Sequence, residues 1–178
     1  MMSDEETWIL HARQGDQRAF KKLYDANVDS LFRFLKQYSH DVSQVEDWVQ
    51  RAFVKSYKHL GSFRGASRFS TWLFTIAMNE MRTDLRKPAL LVLQADDLEK
   101  MEAYESGEEL FIWNDMMKTL LHRLDDLKRS VFILYEVEGY SHAEIASILN
   151  IGENASRSIL CRTKQWLRTE WNLMEKSA

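Results

Sequence analysis

The amino-acid sequence predicts an all-α fold, built as two small helical units joined by an acidic tether. Three observations predict it. Apolar residues recur at steps of three and four through most of the 178 residues, and no segment alternates as a half-buried strand would. The one proline, Pro88, closes a strong helical segment, because proline lacks an amide donor and restricts the residue before it. Charge also changes sign along the chain. Lys and Arg stand against Asp and Glu as 14 to 11 over 1–87, 3 to 10 over 88–127, and 7 to 6 over 128–178.

The first helix is expected to start at Gly15-Asp16 and to carry Ala19, Phe20, Leu23, Tyr24, Val28, Leu31, Phe32 and Leu35 on one face. No element is assigned before it. Ser43-Gln-Val-Glu46 reads as a capping box opening a second helix, which runs to about Leu60 and ends at Gly61. A loop from about Ser62 to Arg68 precedes a third helix, Ser70 to Lys87. Asp96 to Glu109 then holds seven acidic residues, one lysine and no apolar stripe, and reads as a linker. Helical pattern returns from Leu110 to Leu124, then over Lys128–Glu138, Ser141–Leu149 and Glu153–Trp171. These limits divide the chain into 1–88, a tether at 89–110, and 111–178.

Composition narrows the function classes. At 45% hydrophobic and 29% charged, the chain can bury a core. A lone cysteine, Cys161, suits a reducing cytoplasm. Met1 to Glu6 do not resemble a signal peptide, and no apolar run approaches the roughly 18 residues of a membrane span, so no membrane insertion is expected. His11, His40, His59, His122 and His142 are scattered, and there is no HExxH, GxSxG, glycine-rich phosphate loop or metal-spaced Cys/His cluster. No catalytic residue, metal or cofactor is therefore expected. The basic, acidic, basic pattern fits nucleic-acid contact at both ends, and equally fits solvated surfaces.

In the C-terminal unit, Ser141-His-Ala-Glu144 forms another capping box. It opens a short helix with Ile145, Ala146, Ile148 and Leu149. A tight turn with Ile151 follows, and then a longer polar helix. That is the layout of a helix-turn-helix, whose second helix enters the major groove. Arg157, Ser158, Arg162 and Lys164 are candidates for bases and phosphates. An ordinary helical hairpin with a basic face fits the same pattern.

In the N-terminal unit, Arg64, Arg68, Phe69 and Trp72 combine cations with aromatics around a loop, as single-stranded nucleic acid requires. Trp72, Leu73 and Ile76 also stand at helical spacing and fit a core stripe, and Phe63 and Phe69 fit either role. Asn79 sits mid-helix despite poor helix propensity, which suggests a polar partner. Asp47 and Gln50, three apart, share a helix face.

The segment Phe63-Arg-Gly-Ala-Ser-Arg-Phe-Ser-Thr-Trp-Leu-Phe-Thr-Ile-Ala-Met-Asn79, with Asp84, Arg86 and Lys87 behind it, resembles region 2 of extracytoplasmic-function (ECF) sigma factors. Glu46-Asp-Trp-Val-Gln-Arg-Ala-Phe53 resembles their polymerase-binding helix, and Val131–Leu167 resembles region 4. The resemblance implies a transcription initiation factor that binds core RNA polymerase through its β′ and β subunits, with no enzymatic activity. Asp47, Gln50 and Arg51 would dock on the β′ coiled coil. Arg64, Ser67, Arg68, Phe69, Trp72, Asn79, Arg82, Thr83, Arg86 and Lys87 would hold melted minus-ten DNA, with a flipped base in the loop between Gly61 and Ser70. Ser156, Arg157, Ser158, Arg162 and Lys164 would read the duplex minus-thirty-five element. The tether would thread the RNA exit path, and an anti-sigma factor would be the natural partner.

Several positions depart from the family pattern. Arg51 stands where an acid is usual, Ala155-Ser156 replaces Thr-Val, Ile159 replaces an arginine, and Leu124-Asp-Asp-Leu127 lacks the usual Leu-Pro. A free-standing helix-turn-helix regulator, which needs no strand-trapping loop, and a sigma-like interaction module are the rival functions.

Overall fold

The computed structural model describes residues 3–39, 41–86 and 115–176. Within them the chain forms helices α1 (Asp4–Arg13), α2 (Gln17–Leu35), α3 (Val42–His59), α4 (Phe69–Leu85), α5 (Asp115–His122), α6 (Asp126–Glu136), α7 (His142–Leu149) and α8 (Glu153–Glu175), with a 3-10 turn at Leu60–Ser62. The expected tether at 89–110, Pro88 and Lys87 lie outside the described residues.

Helix α1 is a finding that the sequence reading did not anticipate. Ser3 and Glu6 cap its start reciprocally, and Ile9 and Ala12 are buried. Asp16 opens α2 by accepting from the amides of Arg18 and Ala19. Buried Asn27 is satisfied by donating to the Leu23 carbonyl at 2.7 Å. The start of α3 differs from expectation. Asp41, not Ser43, is the cap, accepting from the amides of Ser43 and Gln44, so Ser43 falls inside the first turn. A carboxylate two residues upstream is the stronger acceptor for these free N–H groups.

Helix α4 occupies the middle of the molecule. Phe69, Leu73, Phe74 and Ala77 are fully buried on it, and Thr71, Met78 and Met81 nearly so. It packs against α3 on one side and α7 on the other. Glu80 and Asp84 face α3, where they meet Lys55 and Arg51. Thr71, Phe74 and Arg82 face the C-terminal unit.

That unit is built from α5 to α8, with α6 and α7 both packed on α8. Asp125 caps α6 by accepting from the Lys128 amide at 2.9 Å. Hydrogen bonds from the side chain and then the amide of Lys128 hold the Asp125 carboxyl below its ordinary range. The missing Leu-Pro is thus replaced by a carboxylate cap. The Ser141–Glu144 capping box of α7 forms as expected, and α7 ends at Asn150 in the left-handed conformation, with φ of 56°. Asparagine tolerates that region better than most residues, and it lets the chain turn into α8. Ile151 packs against the core from within the turn. At 23 residues, α8 is roughly 34 Å long.

Thr163, only 1% exposed on α8, has a hydroxyl with no hydrogen-bond partner among the described residues. Thr163→Val should therefore stabilise the protein by about 1 kcal/mol, because a buried hydroxyl without a bond is replaced by a methyl group. Urea unfolding checks this, and a lowered midpoint would mean that the hydroxyl is satisfied after all.

Candidate nucleic-acid interface

Three surfaces carry the residues singled out in the sequence. The first is the loop between the 3-10 turn and α4. Arg64, Ser67 and Arg68 are exposed on it, and Gly65 takes φ of 71°, which a side chain would strain. Beneath it lies an aromatic cluster. The ring centroids of Phe63 and Trp72 are 4.9 Å apart, those of Phe69 and Trp72 5.9 Å, and those of Phe63 and Phe69 6.2 Å. Phe69 is wholly buried, so it forms the floor of the loop and has no face free for a base, while Trp72 is partly exposed. Phe69, assigned to the DNA-contacting set by the resemblance, is thus a core side chain in this structure.

The loop leads into an exposed stripe on α4. Asn79, Thr83 and Arg86 follow at helical spacing and are all exposed. The Thr83 hydroxyl donates to the Asn79 carbonyl at 2.7 Å. Arg68 and Arg82 leave this track and turn to α7. Arg68 makes a two-pronged ion pair with Glu144, Nε to Oε1 at 2.7 Å and Nη2 to Oε2 at 2.9 Å. Its guanidinium also lies 5.2 Å from the centroid of the Tyr140 ring. Arg82 donates to the Leu149 carbonyl at 3.1 Å, at the negative end of α7.

Glu144 is the centre of this contact. It accepts from Arg68, from the Thr71 hydroxyl at 3.0 Å, and from both the amide and the hydroxyl of Ser141. Burial alone raises its pKa, but the hydrogen bonds from Arg68, Ser141 and Thr71 outweigh that and bring it down to about 2. Phe74 meets Tyr140 with centroids 5.2 Å apart, and burial pushes the Tyr140 hydroxyl up to about 12. Tyr38, just past α2, bonds Ser130 of α6, and Arg33 of α2 pairs with Glu138, just past α6, at 3.6 Å.

The second surface is α8. Arg157, Ser158 and Arg162 are exposed, Arg157 pairs with Glu153, and Arg162 Nε reaches the Ser158 carbonyl at 3.3 Å. Lys164 is drawn to Glu136 on α6 at 2.8 Å. Ser156 is completely buried, with its hydroxyl 2.9 Å from His142 Nδ1, so its side chain does not belong to the exposed face assigned to it from sequence register. Ile159 is partly buried against the core. Asn154, exposed in the first turn and one turn before Ser158, shares the outward face and was missed. Its spacing from Ser158 was the available signal.

The third surface is a ridge on α3. Asp47 and Gln50 are exposed, and Val54 and Tyr57 extend the ridge with 45% and 43% exposure. Arg51 bridges Asp47 at 2.7 Å and Asp84 at 3.2 Å, while the Trp48 indole donates to Asp84 at 3.0 Å. The bonds to Asp47 and then Asp84 hold the Arg51 guanidinium more firmly protonated than usual. Among the described residues no acidic, His or Cys cluster is arranged to hold a metal ion, and no helix is long and apolar enough to cross a membrane.

Comparison with known proteins follows the same division. Residues 23–89 match the family model of Sigma-70 region 2, and residues 114–167 match that of Sigma-70, region 4. The chain is 29% identical to the RNA polymerase sigma-H factor of Pseudomonas aeruginosa, over 90% of each chain. It is also 29% identical to the ECF RNA polymerase sigma-E factor of Escherichia coli K12, over 90% of this chain and 91% of that one. Among solved structures, CnrH in complex with the cytosolic domain of CnrY is similar with a TM-score of 0.70 at 22% identity, covering 96% of this chain and 99% of the other. The sigma factor RpoE in complex with the anti-sigma factor NepR, from Bartonella quintana, gives 0.64 at 23%, covering 84% and 94%. At such identity the two structures speak for the fold alone.

The low pKa of Glu144 sets a pH dependence. Its folded value of about 2 lies below the ordinary 4.5, so its contribution is present above 4.5 and is lost as pH falls toward 2. Between those limits the wild-type chain should lose stability more steeply than Glu144→Gln, which has no proton to take up. Urea midpoints measured across that range check this, and parallel curves would refute it.

Proposed function

The chain belongs to the sigma-70 family as an ECF sigma factor that directs RNA polymerase to promoters, and on that premise we propose a division of labour among its three surfaces. The loop of Arg64 and Ser67, with the partly exposed Trp72 and the Asn79–Thr83–Arg86 stripe, holds the melted minus-ten strand. Arg68 and Arg82, once released from α7, would add charge to this surface, and Lys87, outside the described residues, is assigned the same role by the resemblance alone. Arg157, Ser158 and Arg162 on α8 read the minus-thirty-five duplex, with Lys164 at the phosphate edge. Asp47, Gln50 and the ridge beyond them dock on core polymerase, with Arg51 setting the charge of Asp47. The parts proposed to bind DNA and polymerase are residues 1–88 and 111–178, with 89–110 as a tether between them.

The observation that carries this reading is the exposed loop of residues 64–68 over an aromatic cluster, with the partly exposed Trp72 and the exposed Asn79, Thr83 and Arg86 further along the same segment. Stacking or pocketing a base contributes roughly 1–3 kcal/mol. Melting costs on the order of 1.4 kcal/mol per step. A few such contacts hold a short open stretch, so an initiation factor needs no chemistry of its own. The factor works in the cytoplasm, with polymerase and DNA.

The contact of α4 with α7 bears on access. Arg68 and Arg82 cannot face DNA while they hold Glu144 and the Leu149 carbonyl. The proposed promoter-bound state therefore has the two units apart. An anti-sigma factor is the proposed partner that prevents this. The similar structures of CnrH and RpoE are complexes, with the cytosolic domain of CnrY and with the anti-sigma factor NepR respectively.

Transcription from a promoter library with core RNA polymerase tests the assignment. Protein-dependent starts are expected, and Gln50→Ala or Asp47→Ala should weaken core binding about tenfold, the scale of an interface hot spot. Starts that persist unchanged in both variants would remove the α3 ridge from the polymerase interface.

A further inference from the structure

Helix α1 lies outside the stretch that matches the region 2 model, which begins at residue 23. Two of its charged side chains nevertheless grip both ends of the loop proposed to take the minus-ten base. Arg13 Nε donates to the Leu60 carbonyl at 3.1 Å, and its Nη2 donates to the Phe63 carbonyl. At the other end, Glu5 Oε1 accepts from the Phe69 amide at 3.1 Å. Glu5 and Arg13 stand eight residues apart, about 12 Å along the helix axis. Ile9 and Ala12 are buried between them, so α1 is fixed by packing and not only by these bonds.

Both grips meet a local need. A helix leaves its last carbonyls and first amides without partners. After α3, the 3-10 turn carries the chain into the loop; the Leu60 carbonyl already accepts from the Phe63 amide at 3.2 Å, and Arg13 adds a second bond to it and one to the Phe63 carbonyl. Before α4, Arg68 stands at the cap position and supplies no side-chain cap bond. Glu5 provides from another helix an acceptor for the Phe69 amide, one of the free N–H groups of the first turn. Between the two grips, residues 64–68 are all exposed. The loop thus has fixed ends and a free middle, a suitable frame for a base-sized pocket.

We propose that α1 is part of the minus-ten recognition apparatus, with Glu5 and Arg13 as positioning residues that hold the 61–68 loop in its base-selective shape. This rests on the assignment of the loop to melted minus-ten DNA. Neither side chain touches the DNA. They act through the Leu60 and Phe63 carbonyls and the Phe69 amide.

The test uses holoenzyme assembled from core RNA polymerase and the full chain. Its probe is a fork-junction DNA made from the strongest library start, with each base of the single-stranded minus-ten segment replaced in turn. Arg13→Ala and Glu5→Ala should reduce the preference for the best base at one position about tenfold, which corresponds to about 1.4 kcal/mol. Affinity for core polymerase should stay the same. Glu5→Gln keeps an oxygen that accepts from the Phe69 amide and should restore the preference, while Arg13→Lys keeps one donor and should restore it in part. Full base preference in folded Arg13→Ala and Glu5→Ala would overturn the proposal. So would a loss that Glu5→Gln fails to rescue, or one that spreads equally to core binding, since these mark a merely structural role. If wild-type holoenzyme does not distinguish the fork-junction DNAs at all, the minus-ten assignment itself fails, and that result is separable because it needs no variant.

Discussion

Helix α4 has to satisfy two neighbours at once, and much of the molecule is arranged around that constraint. One flank is committed to α3 and another to α7. Full burial of a side chain such as Phe69, Leu73 or Phe74 contributes about 1.5–3 kcal/mol, so these flanks dominate the stability of the helix. Beyond these flanks, Asn79, Thr83 and Arg86 stay exposed, together with Leu85 at the helix end. The proposed DNA track is narrow for that reason, and it must continue in the loop, where exposed side chains cost the core nothing.

The contact with α7 combines forces of different strength. Arg68 is about half exposed and Glu144 only 19% exposed, so their ion pair is partly screened by water. Pairs of that kind are worth little on their own. The Phe74–Tyr140 contact and the burial around it hold the units together more firmly. Glu144 adds direction. Because it also caps α7 through Ser141, the helix that begins the helix-turn-helix and the helix proposed to carry the minus-ten track share one carboxylate. In the proposed promoter-bound state, parting the units would free Arg68 and Arg82 and leave the Ser141 cap of α7 in place. A weak polar contact over a modest apolar one suits a joint that must open.

Local signals in the sequence were legible where the chemistry is local. The Ser141–Glu144 box, the turn at Asn150 and the Asp16 cap all follow from neighbouring residues. Asp41 displaced Ser43 as the cap of α3 because two candidates compete within three residues, and a pattern search finds the box before it compares acceptors. Helix α1 was missed although Ser3 and Glu6 have capping-box spacing, because its apolar stripe is short and its early residues read as an acidic terminus. Facing directions were harder. Ser156 and Arg157 are adjacent, and a helix turns about 100° between them, so one is sealed against His142 while the other faces water. Contacts between distant segments, such as Glu5 with Phe69 or Arg68 with Glu144, leave no mark in any short window.

The departure at position 51 also becomes intelligible only in three dimensions. An arginine in place of an acid would seem to reverse the charge of the proposed polymerase ridge. Its guanidinium, however, is shared between Asp47 on the ridge and Asp84 near the end of α4, and the Trp48 indole holds the second oxygen of Asp84. The positive charge is therefore spent within the protein, and the ridge presents a partly neutralised Asp47 and not a free cation. A basic partner surface would meet less attraction at Asp47 than in a relative with an acid at position 51. In the proposed docking, more of the contact would then come from Gln50 and from the exposed Val54 and Tyr57. Such an interface depends less on salt and more on shape. The same guanidinium ties the ridge to α4, the helix proposed to carry the DNA track, so the two surfaces are braced against each other through Asp84.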